Sequence, residues 1–165
     1  MMMRHVSTAA AVLLTFAVAG WGVAAVGEDA EGDRHDDHVM VTPEQVDWKP
    51  GPPSLPEGSE MAVLEGDPAE PAFFVMQLKL PDGYVIPPHR HPGVERVTVL
   101  KGTFHLGMDE EFDAAATNAL PVGSYFSMPP GMVHFAQAEG ETVVQLSTIG
   151  PWIINYVDPA DDPRQ

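Results

Sequence analysis

An all-β domain with one short helix is the fold class that this chain predicts, and three observations lead to it. From Met61 onward the sequence reads as short strands at close spacing. Turn formers separate them about every eight to twelve residues: Asp67-Pro68, Pro81-Asp82-Gly83, Pro92-Gly93, Pro129-Pro130-Gly131 and Glu139-Gly140. The sequence patterns of other classes are missing: there is no repeat at a solenoid period, no Gly-rich phosphate loop opening a helix, and no Gly-x-Ser-x-Gly elbow. Strands so spaced imply a closed barrel or two packed sheets.

The 165-residue chain is long enough for one domain with a real core. Residues 1–27 begin with a short basic stretch ending at His5. An apolar, Ala-rich run follows, and then small residues, which is the pattern of a cleavable export signal. The expected location is therefore outside the cytoplasm, periplasmic or secreted, with no stable membrane anchor after cleavage. Residues 28–40 form an acidic leader without hydrophobic period, and His35 and His38 within it read as part of a solvated tail. Residues 41–60 form an N-terminal arm, opened by a helix or turn start at Thr42-Pro43-Glu44. Pro50, Pro52, Pro53 and Pro56 then suit an extended path along a surface.

The β domain is expected over 61–158, with strands at 61–65, 72–80, 84–87, 95–100, 103–108, 124–128, 133–138, 142–149 and 152–157. Its one helix is expected over 109–119, where Asp109 can cap, Glu110 and Glu111 suit the first turn, and an Ala run favours continuation. An acidic tail, 159–165, closes the chain.

Composition narrows the chemistry. The chain carries 8 Lys and Arg against 24 Asp and Glu, a net charge of −16. Removing residues 1–27 takes away Arg4 and no acid, which makes the charge −17. So acidic a surface argues against nucleic acid and anionic lipid as partners. There is no cysteine, so lipoprotein anchoring, thiolate metal sites and thiol nucleophiles are excluded. Ligands or catalysts must be His, carboxylate, Tyr or hydroxyl groups.

Residues 83–102 concentrate such groups. His89 and His91 are two apart, so on a strand both side chains point to one face. Glu95 follows across the Pro92-Gly93 turn. Two imidazoles and a carboxylate make an incomplete coordination sphere. The natural fourth ligand is His134, which opens a strand just after the Pro129-Pro130-Gly131 turn.

These residues carry a resemblance to the cupin superfamily. Gly83, His89, His91, Glu95 and Gly102 match every position of the first cupin motif. Gly123, Pro129, Gly131 and His134 match the second, and Ala138 stands where that motif has Asn. The resemblance covers about 72–157. It implies a cupin-type double-stranded β-helix, or jelly-roll barrel, in which His89, His91, Glu95 and His134 converge on one metal ion. The four glycines fall at expected turns, where positive φ is easiest without a Cβ.

If His134 points inward, strand alternation sends Ala136 and Ala138 inward too, and Val97 and Val99 along with Glu95, while Arg90 and Arg96 point out. The pocket should then be apolar, with His105, Tyr84 and Tyr125 as polar contacts. Three imidazoles and one carboxylate leave one or two open positions, which suits Fe, Mn, Co or Ni, with Zn also possible. Such an ion can bind dioxygen beside a chelating substrate, and Glu95 could then swing off the metal as a catalytic base. The resemblance thus implies either an exported metal-dependent oxidoreductase of dioxygenase or oxidase type, or a metal-holding module that binds or senses a small ligand. Oxalate oxidation, as in the germin-like cupins, is a subset of the first, although the lack of Cys departs from their usual disulfide. Single-domain cupins commonly form homodimers, and the arm around Pro50 and Pro56 could then pack on a partner subunit.

Overall fold

The computed structural model describes residues 38–165. The expected export signal at 1–27 and most of the leader at 28–40 lie outside the described residues. Among the described residues, no helix is long and apolar enough to cross a membrane.

Nine strands of the described residues form one curled antiparallel sheet: β1 (Lys49–Pro50), β2 (Glu60–Glu65), β3 (Phe73–Leu80), β4 (Val85–Arg90), β5 (Glu95–Gly107), β6 (Thr117–Pro121), β7 (Tyr125–Met128), β8 (His134–Ile149) and β9 (Asn155–Tyr156). The all-β expectation and its jelly-roll form hold. The two longest strands organise it. The second half of β8 pairs with β3, from Leu80 opposite Thr142 to Phe73 opposite Ile149, and its first half pairs with β4. β5 runs along the other side of β8 through both halves, and carries β7 on its first half and β6 on its second.

Each long strand passes from one layer to the other at a glycine in the left-handed region, Gly102 (φ 70°) in β5 and Gly140 (φ 68°) in β8. Four expected strands therefore merge into two: 95–100 with 103–108, and 133–138 with 142–149. A curled sheet needs bent continuous strands at its corners, and a glycine supplies the bend without ending the hydrogen-bond ladder.

The expected helix over 109–119 is a correction. Ala114–Ala116 forms a single 3-10 turn, capped by Asp113, whose Oδ1 accepts the Ala115 N–H at 2.8 Å. The next residues pair with β5 as β6. A short isolated helix is marginal against its nucleation cost. Here the segment gains more by folding over the barrel, where the Phe112 ring meets Phe135 edge-on, centroids 5.2 Å apart. The expected strand 152–157 shrinks to β9.

The core lies between the layers. Phe74, Met76, Leu78 and Leu80 enter it from β3, Val97 and Val99 from β5, and Val144 and Leu146 from β8. Burial of side chains this size contributes roughly 1.5–3 kcal/mol each.

The Pro-rich arm contributes to the same core. A 3-10 turn at Pro43–Gln45 opens it, with the Gln45 side chain accepting the Thr42 N–H at 2.9 Å. Trp48 then lies under the Lys79 ammonium, 4.2 Å from ring centroid to Nζ. β1 pairs with β2, and the loop between them drops Leu55 into the barrel, where it is 4% exposed. Two buried tyrosines pin that loop: Tyr84 donates its hydroxyl to the Pro56 carbonyl, and Tyr156 donates to the Ser54 carbonyl at 2.7 Å.

Candidate metal centre

His89 near the end of β4 and His134 at the start of β8 are direct register partners. His91 lies just past β4, and alternation around exposed Arg90 returns its side chain to the face of His89. The Gly131 N–H donates to the His91 carbonyl at 2.8 Å, so the turn before β8 is fastened to the segment carrying His91. Gly131 makes that turn at φ 78°. Glu95 opens β5. All four residues are buried.

The three rings form a cluster with centroid separations of 4.3 Å (His89–His134), 5.0 Å (His89–His91) and 5.4 Å (His91–His134). One nitrogen from each lies within 4.8 Å of the other two, a group able to hold a metal ion. Glu95 borders two of the three: its Oε1 is 3.4 Å from His91 Nε2 and its Oε2 is 3.5 Å from His134 Nε2.

Hydrogen bonding settles which nitrogens face inward. Each Nδ1 lies against a backbone carbonyl: His89 on Pro87 at 2.7 Å, His91 on Ile153 at 2.8 Å, and His134 on Met132 at 3.2 Å. A carbonyl only accepts, so each Nδ1 carries the proton and donates it. Each Nε2 is left with a lone pair. His91 Nε2 is buried with no hydrogen-bond partner. Lone pairs gathered beside a carboxylate, with their outer nitrogens anchored, fit a divalent cation and would otherwise repel one another.

The protonation states agree with this arrangement. Burial is the largest cause of a fall in the His89 pKa to about 3, and the neighbouring His134 and His91 push the same way. Burial also lowers His91, against the pull of Glu95. Burial alone would raise Glu95, but the neighbouring His91 and His134 rings outweigh it and hold the carboxyl below the usual carboxylate range. Neutral His89 and ionised Glu95 are the forms that ligate a cation.

The cavity in front of the rings has a volume of about 30 Å³, room for a water or two. Val97 and Ala136 line it, as alternation from Glu95 and His134 predicts, with Leu55, Phe126 and Ile154 completing an apolar wall. Ala138 is buried in the same core, and Arg90 and Arg96 point outward.

The expected polar contacts are a correction. His105 faces away from the cavity and holds Glu139 Oε2 at 2.7 Å. Tyr125 is 60% exposed, and the Tyr84 hydroxyl is taken up by the arm. The polar neighbour that sequence reasoning missed is Trp152. It donates its indole N–H to Glu95 Oε1 at 3.3 Å, and its ring stacks on His91 with centroids 5.7 Å apart and planes at 17°. No local motif marks that tryptophan.

Comparison with known proteins agrees with this architecture. A family model described as the ChrR Cupin-like domain matches residues 36–152. Among curated proteins, Germin-like protein 5-1 of Oryza sativa subsp. japonica is 36% identical over 61 residues, covering 36% of this chain and 28% of that protein. Germin-like protein subfamily 2 member 1 of Arabidopsis thaliana is 37% identical over 60 residues, covering 36% and 27%. The match thus spans little more than a quarter of either curated relative. Among solved structures, a candidate acetylacetone dioxygenase from Methylibium petroleiphilum PM1 superposes with a TM-score of 0.58 at 22% identity, covering 76% of this chain and 85% of that one. The polyketide cyclase RemF from Streptomyces resistomycificus gives 0.56 at 19% identity, covering 76% and 89%. These two structures share the fold.

Proposed function

The chain belongs to the ChrR Cupin-like domain family of cupins, and from that premise we propose that it is an exported metal-binding cupin acting as an oxidoreductase of dioxygenase or oxidase type on a small organic molecule. The observation that carries the proposal is the set of three Nε2 lone pairs, each fixed by an Nδ1–carbonyl bond, beside ionised Glu95. His89, His91 and His134 would hold one divalent ion, Fe, Mn, Co, Ni or Zn, with Glu95 as the fourth ligand. When bound, such an ion supplies Lewis acidity and, if redox-active, a site for dioxygen.

The residues of the chain do the rest. The backbone carbonyls orient the imidazoles, the apolar wall excludes bulk water, and Glu95 is, among the described residues, the one carboxylate lining the cavity that can accept a substrate proton. The apolar wall favours a neutral or singly charged small molecule over a polyanion. Export follows from the pattern of residues 1–27, and the homodimer is carried over from other single-domain cupins.

One observation favours a second reading, a non-catalytic module that holds metal and senses a small ligand. The cavity of about 30 Å³, far below the ~300–1,000 Å³ of a typical small-molecule site, offers less room for a substrate with dioxygen beside it than for one ligand of few atoms. Oxygen uptake over a panel of aromatic diols, diketones and oxalate, with Fe- and Mn-loaded protein, decides between them. Turnover above metal-free protein supports the enzyme. No turnover, with ligand-induced stabilisation that survives replacement by redox-inert Zn, establishes the sensor.

A further inference from the structure

Glu95 has a second partner besides the imidazoles, and that partner is also a wall. The Trp152 N–H points at Glu95 Oε1, the same oxygen that faces His91 Nε2, while the indole ring lies flat on the His91 ring. Trp152 and Glu95 together line both the inner cavity and a small hollow of about 10 Å³ outside it, bounded by Pro92, Gly93, Ile149 and Pro151. The indole therefore stands between the barrel interior and its surroundings. The neighbouring Ile153 carbonyl accepts from His91 Nδ1, so consecutive residues fix His91 from its edge and its face.

We propose that Trp152 is a positioning residue and a size filter: its N–H holds Glu95 Oε1 in line with His91, and its ring narrows the cavity so that larger ligands reach the imidazole face less readily than smaller ones. This rests on the metal-centre reading for its consequence and on the metal-free geometry for its substance. A carboxylate restrained by an indole N–H keeps a defined direction when a cation is bound. Without that restraint Oε1 is free to turn, and the number of ligand atoms on the ion changes with it. Without the ring, the inner cavity and the outer hollow merge.

Three measurements on the full chain test this. In the metal-free protein labelled with nitrogen-15, the Trp152 indole signal is the one lost in Trp152→Phe. It should exchange slowly with solvent, and Glu95→Gln should shift it upfield as the bond to a charged acceptor weakens. A signal unmoved by Glu95→Gln overturns the positioning role whether or not any metal binds. In the Co(II)-loaded protein, Trp152→Phe keeps a flat ring on His91 without the N–H. It should retain stoichiometric metal and bind it about tenfold more weakly, with a changed visible d–d spectrum. An unchanged spectrum at full occupancy overturns the role. With azide and imidazole as probes of the Co(II) protein, Trp152→Ala should strengthen imidazole binding and leave azide binding near native. Equal imidazole affinity in the native protein and Trp152→Ala overturns the filter. If the native protein takes up no Co(II), the metal reading fails, and the first measurement still decides the positioning role.

Discussion

His89 and His134 face each other directly across the β4–β8 ladder, with ring centroids 4.3 Å apart and each Nδ1 held by a carbonyl two residues before it in its own chain segment. Both rings are thus oriented by local backbone before any ion arrives. His89→Ala, His91→Ala and His134→Ala should each remove an inward nitrogen and leave the ladder intact. Stoichiometric uptake of Co(II) or Mn(II), read by elemental analysis after dialysis, should fall by about 100-fold in affinity or more. His105→Ala should leave uptake unchanged, because that ring faces Glu139 outside the barrel. Full metal content in the three alanine variants would remove the site.

Acid should loosen the metal-free protein through the same residues. The folded-state pKa of His89 is about 3, below its ordinary 6.5, so between those values the unfolded chain binds the extra proton and the folded chain does not. The stabilisation is fully present above about pH 6.5 and is lost as pH falls toward 3, on the order of 4 kcal/mol from this group. Glu95, held below the carboxylate range, adds a loss of the same sign at lower pH. Urea midpoints measured between pH 7 and pH 4 should fall steadily, and His89→Gln should flatten the upper part of that slope.

Much of the centre was legible because it obeys a strand's period of two. His89 and His91 share a face, and the glycine turns before β4 and β8 have the positive φ expected of them, 73° at Gly83 and 78° at Gly131. The misreading of His105 shows where that period stops being readable. Glu95, Val97 and Val99 face inward at odd numbers, the register of β5 shifts between Val99 and Thr103, and Phe104 and Leu106 then face inward at even ones. A bulge inserts that change of parity, which sends His105 out. The helix over 109–119 failed differently: the Ala run has the propensity, but Phe112 finds Phe135 and the following residues find β5. Trp152 lies 57 residues from Glu95 in sequence, a pairing that depends on the closed fold.

Leu55 tests whether the Pro-rich arm belongs to the barrel. It is buried at 4% exposure, lines the cavity, and sits between the two carbonyls that Tyr156 and Tyr84 hold. Leu55→Ala should cost about 2–4 kcal/mol in urea unfolding, as for other buried leucines. Because it enlarges the cavity without touching an imidazole, metal stoichiometry should stay near native. A loss below about 1 kcal/mol would mean that the arm is a surface attachment.

Gly102 and Gly123 separate conformational strain from crowding, since both have positive φ, 70° and 87°. A Cβ at Gly123 meets nothing within 4 Å, whereas at Gly102 it would lie 2.5 Å from Thr142 Oγ1 and 2.7 Å from the Glu141 carbonyl oxygen. Gly123→Ala should therefore cost only the left-handed backbone term, about 1 kcal/mol. Gly102→Ala adds a collision with the backbone of β8 at the corner where β5 changes layers, and should cost at least about twice that. Since β5 presents Glu95 before this bend and the arm's contacts lie elsewhere, the Gly102→Ala loss should appear in the unfolding midpoint while metal affinity at pH 7 stays native. Equal losses at the two glycines would show that β5 and β8 part at Gly102 more easily than their close approach implies.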